Sequence, residues 1–199
     1  MVAAMRARGV NAWAVGGGLG CQAECECLMA EAWEASGGID LLVNNAAVFD
    51  KGGLRELDEA ALLSEIQVNL MAPLFLVRAF AARAARGRVV NLLDRRVAGN
   101  EAGCLAYLLS KKALADFTRL AALELAPAFT VNGVAPGPVL LPPGTQETRV
   151  RDRAGRIPLG ARPQPAQVAE AVLFLLKADA ITGQVIYVDG GQHLHGSGD

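Results

Sequence analysis

Short apolar runs separated by stretches of helical length constrain the fold of this chain more than any other feature. Ala12 to Val15 is a short strand candidate and Ile39 to Val43 a buried strand; Arg88 to Leu93, Phe129 to Val134 and Gln184 to Val188 are three more. Between them, residues 22–36 place Cys25, Leu28, Met29 and Ala32 on one helical face, and Gly37-Gly38 stops that helix. Residues 58–85 hold one or two helices with Gly87 after them, and residues 104–126 form a long helix that Pro127 ends. Pro165 suits the first turn of another helix, whose inner face is Val168, Ala171, Val172, Leu175 and Leu176. Strands alternating with helices of this length give an α/β fold with a mostly parallel sheet. Ligand sites in such sheets form at the carboxyl ends of strands, here Asn44 to Ala47, Asp94 and Pro136-Gly137. The Pro/Gly-rich segment from Pro136 to Gly144 reads as a loop at such an end, not a domain boundary.

Composition removes several alternatives. The 199 residues are 52% hydrophobic and 20% charged, enough to bury a core within one domain, 1–199. Lys+Arg is 19 and Asp+Glu is 20, a net charge of −1 with no basic run, which argues against a nucleic-acid partner. Leu70 to Ala85 is the most apolar region; Pro73, Arg78 and Arg83 interrupt it, so no membrane span is expected. The start lacks the apolar block of a secretion signal, and a cytoplasmic location is the expectation. Cys21, Cys25, Cys27 and Cys104 fit neither a zinc spacing nor a disulfide framework, and no metal site is expected. No His precedes His193, which weakens any hydrolase scheme that needs an imidazole base.

The chemistry concentrates on the long helix. Tyr107 and Lys111 are one turn apart on one face. A cation near a phenol stabilises phenolate and lowers its pKa from about 10, which makes the Tyr a usable proton donor or acceptor. Around this pair stand Asn44-Asn45-Ala46-Ala47 after a strand, Asn69 in a helix, Asp94 thirteen residues before Tyr107, Pro136-Gly137 after another strand, and a Val188-Asp-Gly-Gly191 turn. This set, in this order, resembles the short-chain dehydrogenase/reductase family from about residue 10 to residue 194.

The resemblance implies a Rossmann-like doubly wound parallel sheet and a hydride-transferring oxidoreductase that uses NADPH, with NADH not excluded. It makes Tyr107 the general acid/base and Lys111 the residue that lowers its pKa and holds the nicotinamide ribose. Asn69 matches the Asn of the family's proton relay. Asn45, Ala46 and Ala47 match the wall beside the cofactor, with Leu93 at the end of the next strand, and Pro136, Gly137 and Val139 match the loop beside the nicotinamide. Family members commonly pair through the helices of 58–85 and 104–126, so a homo-oligomer, dimer or tetramer, is expected.

One position departs from the usual pattern. Most members carry a Ser where this chain has Asp94, and that hydroxyl donates to the substrate carbonyl. An ionised carboxylate only accepts and would repel the alkoxide formed from a ketone. The pteridine reductases and the similar dihydromonapterin reductases carry Asp here, ahead of the same Tyr and Lys, and place a Phe after the Asn-Asn-Ala segment, where Phe49 stands. They reduce pterin rings, the Asp–Tyr pair delivering a proton to a ring nitrogen. Asp94 and Phe49 are therefore the expected substrate contacts, Phe49 by stacking. The alternatives are a carbonyl or alcohol reductase with Asp94 incidental, and a catalytically impaired chain serving only as an oligomer partner.

The family's first β-α-β unit, with its Gly-rich phosphate turn and NAD/NADP selector, has no counterpart before residue 10, and an N-terminally truncated relative is the expectation. Gly16-Gly-Gly-Leu-Gly20 lies too close to Asn44 to replace that turn, and Gly18 stands where the family has an Asp. Residues 10–15 are then expected to pair beside 39–43 or to lie unpaired.

Overall fold

Val89 and Val90 are adjacent on one strand and both wholly buried, yet they enter different cores, because successive strand side chains point to opposite faces. That strand is central in the computed structural model, which describes residues 1–140 and 157–195. Four strands, β1 (Leu41–Asn44), β2 (Gly87–Leu92), β3 (Phe129–Pro136) and β4 (Val185–Val188), pair in chain order, all parallel. Helices α2 (Gln22–Ser36), α4 (Ala72–Ala81) and α5 (Leu105–Glu124) cover one face. There Met29, Val77, Phe80 and Ala121 pack on Val89, Phe129 and Val131. Helix α6 (Pro165–Lys177) covers the other face, where Leu175, Val168, Ala171 and Val172 meet Val90 and Val134. Helices on both faces of a parallel sheet make the α/β fold expected from the alternating pattern, in the doubly wound form that the resemblance implies.

Close approach sets one glycine. Gly87 opens β2 where a Cβ would overlap the Phe80 ring and lie 3.0 Å from Phe129. Those two rings meet edge to face with centroids 5.6 Å apart, and the contact ties α4 to the sheet.

The strand expected at Ala12 to Val15 does not form. Residues 10–19 run without regular structure after a short helix, α1 (Val2–Arg6). The Arg6 guanidinium donates to Ala12 O at 2.7 and 2.9 Å, and Gln67 Nε2 donates to Leu19 O at 2.9 Å. A strand needs a hydrogen-bonding neighbour. Among the described residues the outer edge of β1 has none, and Leu41 and Val43 on it are about half exposed. The second of the two expected outcomes, unpaired residues, is the one observed.

The segment 58–85 resolves into α3 (Glu59–Ile66), a π-helical turn (Gln67–Met71) and α4. Glu59–Ala81, 23 residues in all, is long and apolar enough by length and composition to cross a membrane, which corrects the expectation that no stretch qualifies. Its apolar side chains Val77, Ala79 and Phe80 are nevertheless spent on the protein core. The four cysteines are unbridged, Cys25 and Cys104 buried and Cys21 and Cys27 exposed. Residues 141–144 of the Pro/Gly-rich loop lie outside the described residues.

Candidate active site

All four strands run the same way, so their carboxyl ends gather on one edge of the sheet. Asp94 follows β2 there and heads a short 3-10 turn, Arg95–Ala98. Its Oδ1 accepts the Arg96 N–H at 2.8 Å, and its Oδ2 accepts both the Tyr107 hydroxyl at 3.1 Å and Arg96 Nη1 at 3.0 Å. One carboxylate therefore caps a turn, pairs with a guanidinium and receives the phenol. Glu101 takes the Nε of Arg96 at 2.9 Å and holds the guanidinium from its far side. The Arg96 side chain also lies 5.9 Å from the centre of the Phe49 ring.

Tyr107 and Lys111 both project from α5 toward this edge and are buried. Lys111 Nζ donates to Leu92 O at 2.8 Å and sits 5.9 Å from the centre of the Tyr107 ring. The phenol is pushed well above its ordinary pKa, first by burial and then by the charge and hydrogen bond of Asp94, with Arg96 opposing. The sign is opposite to the lowering expected from the Tyr–Lys spacing. A buried phenol donating to a carboxylate keeps its proton, and Lys111 is engaged at the strand end. Burial lowers Lys111 to about 8, against the raising influence of Asp94 and Glu65.

That value carries a stability consequence. Lys111 is ordinarily near 10.5, so between pH 8 and 10.5 the unfolded chain binds more protons than the folded one and stability rises with pH. At neutral pH the buried ammonium costs about 3 kcal/mol by this linkage. Lys111→Met is expected to raise the melting temperature at pH 7. Its advantage over the parent should shrink steadily between pH 8 and 10. Thermal melts across that range check it; a constant difference would contradict the sign.

Asn69 is wholly buried because the π-helical turn swings it inward from the helical rod. Its Oδ1 accepts Val48 N and its Nδ2 donates to Val48 O, both at 2.9 Å. Nδ2 also contacts Glu65 Oε2 and Ser110 Oγ, and Ser110 donates to Tyr107 O at 2.7 Å. Phe49, one residue beyond Val48, is half exposed and meets the Tyr107 ring edge-on with centroids 4.7 Å apart.

Asn45, Ala46 and Ala47 continue β1 and are exposed along this edge. Asn44 behind them turns inward, its Nδ2 donating to Asn91 Oδ1 at 2.8 Å. Gly137 follows β3, its N–H bonded to Val188 O at 3.0 Å, and a Cβ there would lie 2.8 and 2.9 Å from the Cβ and Cα of Asp189. Pro136 and Val139 flank it, partly buried. The Leu93 side chain is core, packed with Leu114, Ala115 and Ala135, so only its main chain can face a cofactor. The structure thus brings Asp94, Tyr107, Phe49 and, through Ser110, Asn69 into one connected cluster, with Lys111 alongside. Sequence reasoning missed Ser110 and Glu65, and weighed Arg96 only as a structural partner of Asp94. The Arg pair after Asp94, the Ser beside Lys111 and a Glu one turn before Asn69 were the available signals.

A parallel sheet whose strand ends meet a Tyr and a Lys one helical turn apart defines the doubly wound α/β class with its site at the strand ends. The chain belongs to the short-chain dehydrogenase/reductase family: a family model described as enoyl-(acyl carrier protein) reductase matches residues 2–193. It is similar to NADPH-dependent aldehyde reductase 1, chloroplastic, of Arabidopsis thaliana, 32% identical over 182 residues. That match covers 87% of this chain but 63% of the relative, so the chain spans less than two thirds of its length. Pteridine reductase 1 of Leishmania tarentolae is 36% identical over 197 residues, covering 85% of this chain and 68% of the relative. Among solved structures, the FolM alternative dihydrofolate reductase 1 from Brucella canis, in complex with NADP, superposes with a TM-score of 0.90 at 33% identity. That superposition covers 97% of this chain and 78% of the other.

Proposed function

We propose that the chain is an NADPH-dependent oxidoreductase that reduces a pterin-like ring. The observation that carries this reading is the Tyr107 hydroxyl donating to Asp94 at 3.1 Å, a carboxylate where a carbonyl reductase needs a donor. The likeness to the Leishmania pteridine reductase and the Brucella alternative dihydrofolate reductase supports the same substrate class.

The residues present fit the nicotinamide and ribose end of the cofactor. Small exposed side chains at Asn45 to Ala47 leave room along the β1 end. Gly137 brings main chain close to Asp189 where a side chain would clash. Lys111 spends one proton on Leu92 O and keeps two for ribose hydroxyls. Those residues, with the Leu93 main chain, Pro136 and Val139, would hold the nicotinamide end of NADPH, which supplies the hydride when bound.

The chain's own groups handle orientation and the proton. Phe49 offers a half-exposed ring face for a flat heteroaromatic ring to stack on. Asp94 accepts ring N–H donors and orients the Tyr107 hydroxyl. Tyr107, its proton held tightly by burial and by Asp94, gives it to the ring nitrogen as negative charge develops there. The Arg96 guanidinium, the cation that opposes the rise at Tyr107, steadies the phenolate left behind. Asn69 and Ser110 connect the α5 main chain at Tyr107 to the Val48–Phe49 segment.

A homo-oligomer and a cytoplasmic location belong to the same proposal. Leu63 on α3 and Leu109, Leu120 and Leu123 on α5 are exposed, which suits a second copy packing there.

The test is the rate of NADPH oxidation with a dihydropterin set against a panel of aldehydes and ketones, together with an NADPH titration. Turnover of the dihydropterin is the expected result. Turnover of carbonyl compounds alone would replace the substrate class, and a folded chain that fails to bind NADPH at micromolar concentration would overturn the enzymatic reading.

A further inference from the structure

We propose that Glu65 is a positioning residue, its buried carboxylate tying Asn69 to the main chain beside Phe49 so that the proton-handling cluster and the stacking platform keep one register. The inference rests on reading Tyr107, Lys111 and Asn69 as the reducing site.

Glu65 lies on α3, wholly buried, one turn before Asn69. Its Oε1 accepts the Asp50 N–H at 2.7 Å, and its Oε2 takes Nδ2 of Asn69 at 2.5 Å. Asp50 directly follows Phe49. The carboxylate therefore joins the residue after the aromatic platform to the amide that also grips Val48 on its other side. Beyond Asn69 the connection runs through Ser110 to Tyr107 O. One set of hydrogen bonds thus links the start of the Tyr107 helix to both sides of Phe49.

The chemistry of the acceptor matters. The Asn69 amide has two protons on Nδ2 and three oxygens around them, Val48 O, Glu65 Oε2 and Ser110 Oγ. An acceptor that cannot donate forces Nδ2 to face Glu65 and leaves Oδ1 for Val48 N, which fixes the amide's orientation. Leucine would fill the space but strand the Asp50 N–H. Glutamine would set its NH2 against that of Asn69, donor to donor, or turn it against Asp50 N.

Charge supports the geometry. Burial raises the Glu65 pKa, with Asp50 adding to the rise, while its two hydrogen bonds and the facing Lys111 hold it down. Lys111 is in turn held up by Asp94 from the β2 end and by Glu65 from α3, against its own burial. Glu65 is thus one of two negative charges that keep the ammonium protonated.

Glu65→Gln tests this with readouts that mere packing would not move. The chain's lysines are Lys51, Lys111, Lys112 and Lys177, so carbon-13 NMR of lysine follows each one. In Glu65→Gln the Lys111 midpoint is expected to drop by roughly half a pH unit or more. Glu65→Asp, which restores the charge with a shorter reach, is expected to recover most of that drop. Dihydropterin turnover in Glu65→Gln should fall roughly tenfold to a hundredfold, more in kcat than in KM for NADPH. The parent provides a check that needs no variant: the Asp50 amide proton should follow a titration above the ordinary glutamate range. A flat Asp50 amide in the parent, or an unmoved Lys111 midpoint in folded Glu65→Gln, overturns the proposal. If the parent proves inactive toward every substrate, the reading of the site fails, while the two NMR measurements still decide the placement of Glu65.

Discussion

Tyr107→Phe is expected to lower turnover by about two to four orders of magnitude while leaving NADPH affinity within a few-fold of the parent. The substitution removes one oxygen and keeps the rest. The ring stays in its buried seat against Phe49, and Lys111 keeps its bond to Leu92 O. What disappears is the only proton that Asp94 receives from α5 among the described residues. Because burial and Asp94 push the phenol above its ordinary pKa, the parent stays protonated through neutral pH, the form a reduction consumes. The rate of NADPH oxidation, with binding followed separately by fluorescence, measures the two effects independently. Turnover retained in the Phe variant would mean that the proton comes from another group.

Asp94→Asn is the substitution that separates substrate classes. It should reduce dihydropterin turnover by roughly a hundredfold and spare NADPH binding. The Asn oxygen can still accept the Tyr107 hydroxyl, but its NH2 would confront either Arg96 or a ring N–H of the substrate. A ketone oxygen would instead gain a donor, so the ratio of carbonyl to pterin turnover should rise. Loss of the Arg96 ion pair affects the local turn, and a melting curve taken beside the kinetics separates that effect. Equal pterin turnover in parent and variant would remove Asp94 from the chemistry and leave a carbonyl reductase as the better account.

The fold was legible where hydrophobic period and punctuation agreed. Helix 22–36 begins and ends where Cys25, Met29 and Gly37 placed it, and the helix at Pro165 buries the face its apolar spacing marked. The segment 10–15 was not legible, because a strand depends on a neighbour that no local pattern reports. The π-helical turn was invisible for a related reason, since an extra residue in a helix leaves composition unchanged. At the site, the family resemblance grouped Asp94, Tyr107 and Lys111, but the Tyr–Lys spacing misjudged the electrostatics. The pair rule assumed a cation at the phenol oxygen; folding put a carboxylate there and turned the ammonium toward Leu92. Glu65, Ser110 and Arg96 act through partners far apart in the chain, such as Asn69 with Ser110, and such contacts come only with the tertiary fold.

The widened turn at Gln67–Met71 lets a single rod answer two demands that a uniform pitch would set at odds. Each residue of a regular helix advances the direction of its side chain by about 100°. Shortening the turn by one residue would restore even winding and rotate everything after it by that angle. Phe80 could then keep its place against Phe129 only if Asn69 turned away from Val48, or the reverse. That one surplus residue is the gearing by which the sheet and the Val48–Phe49 segment share a helix without either dictating the other's phase.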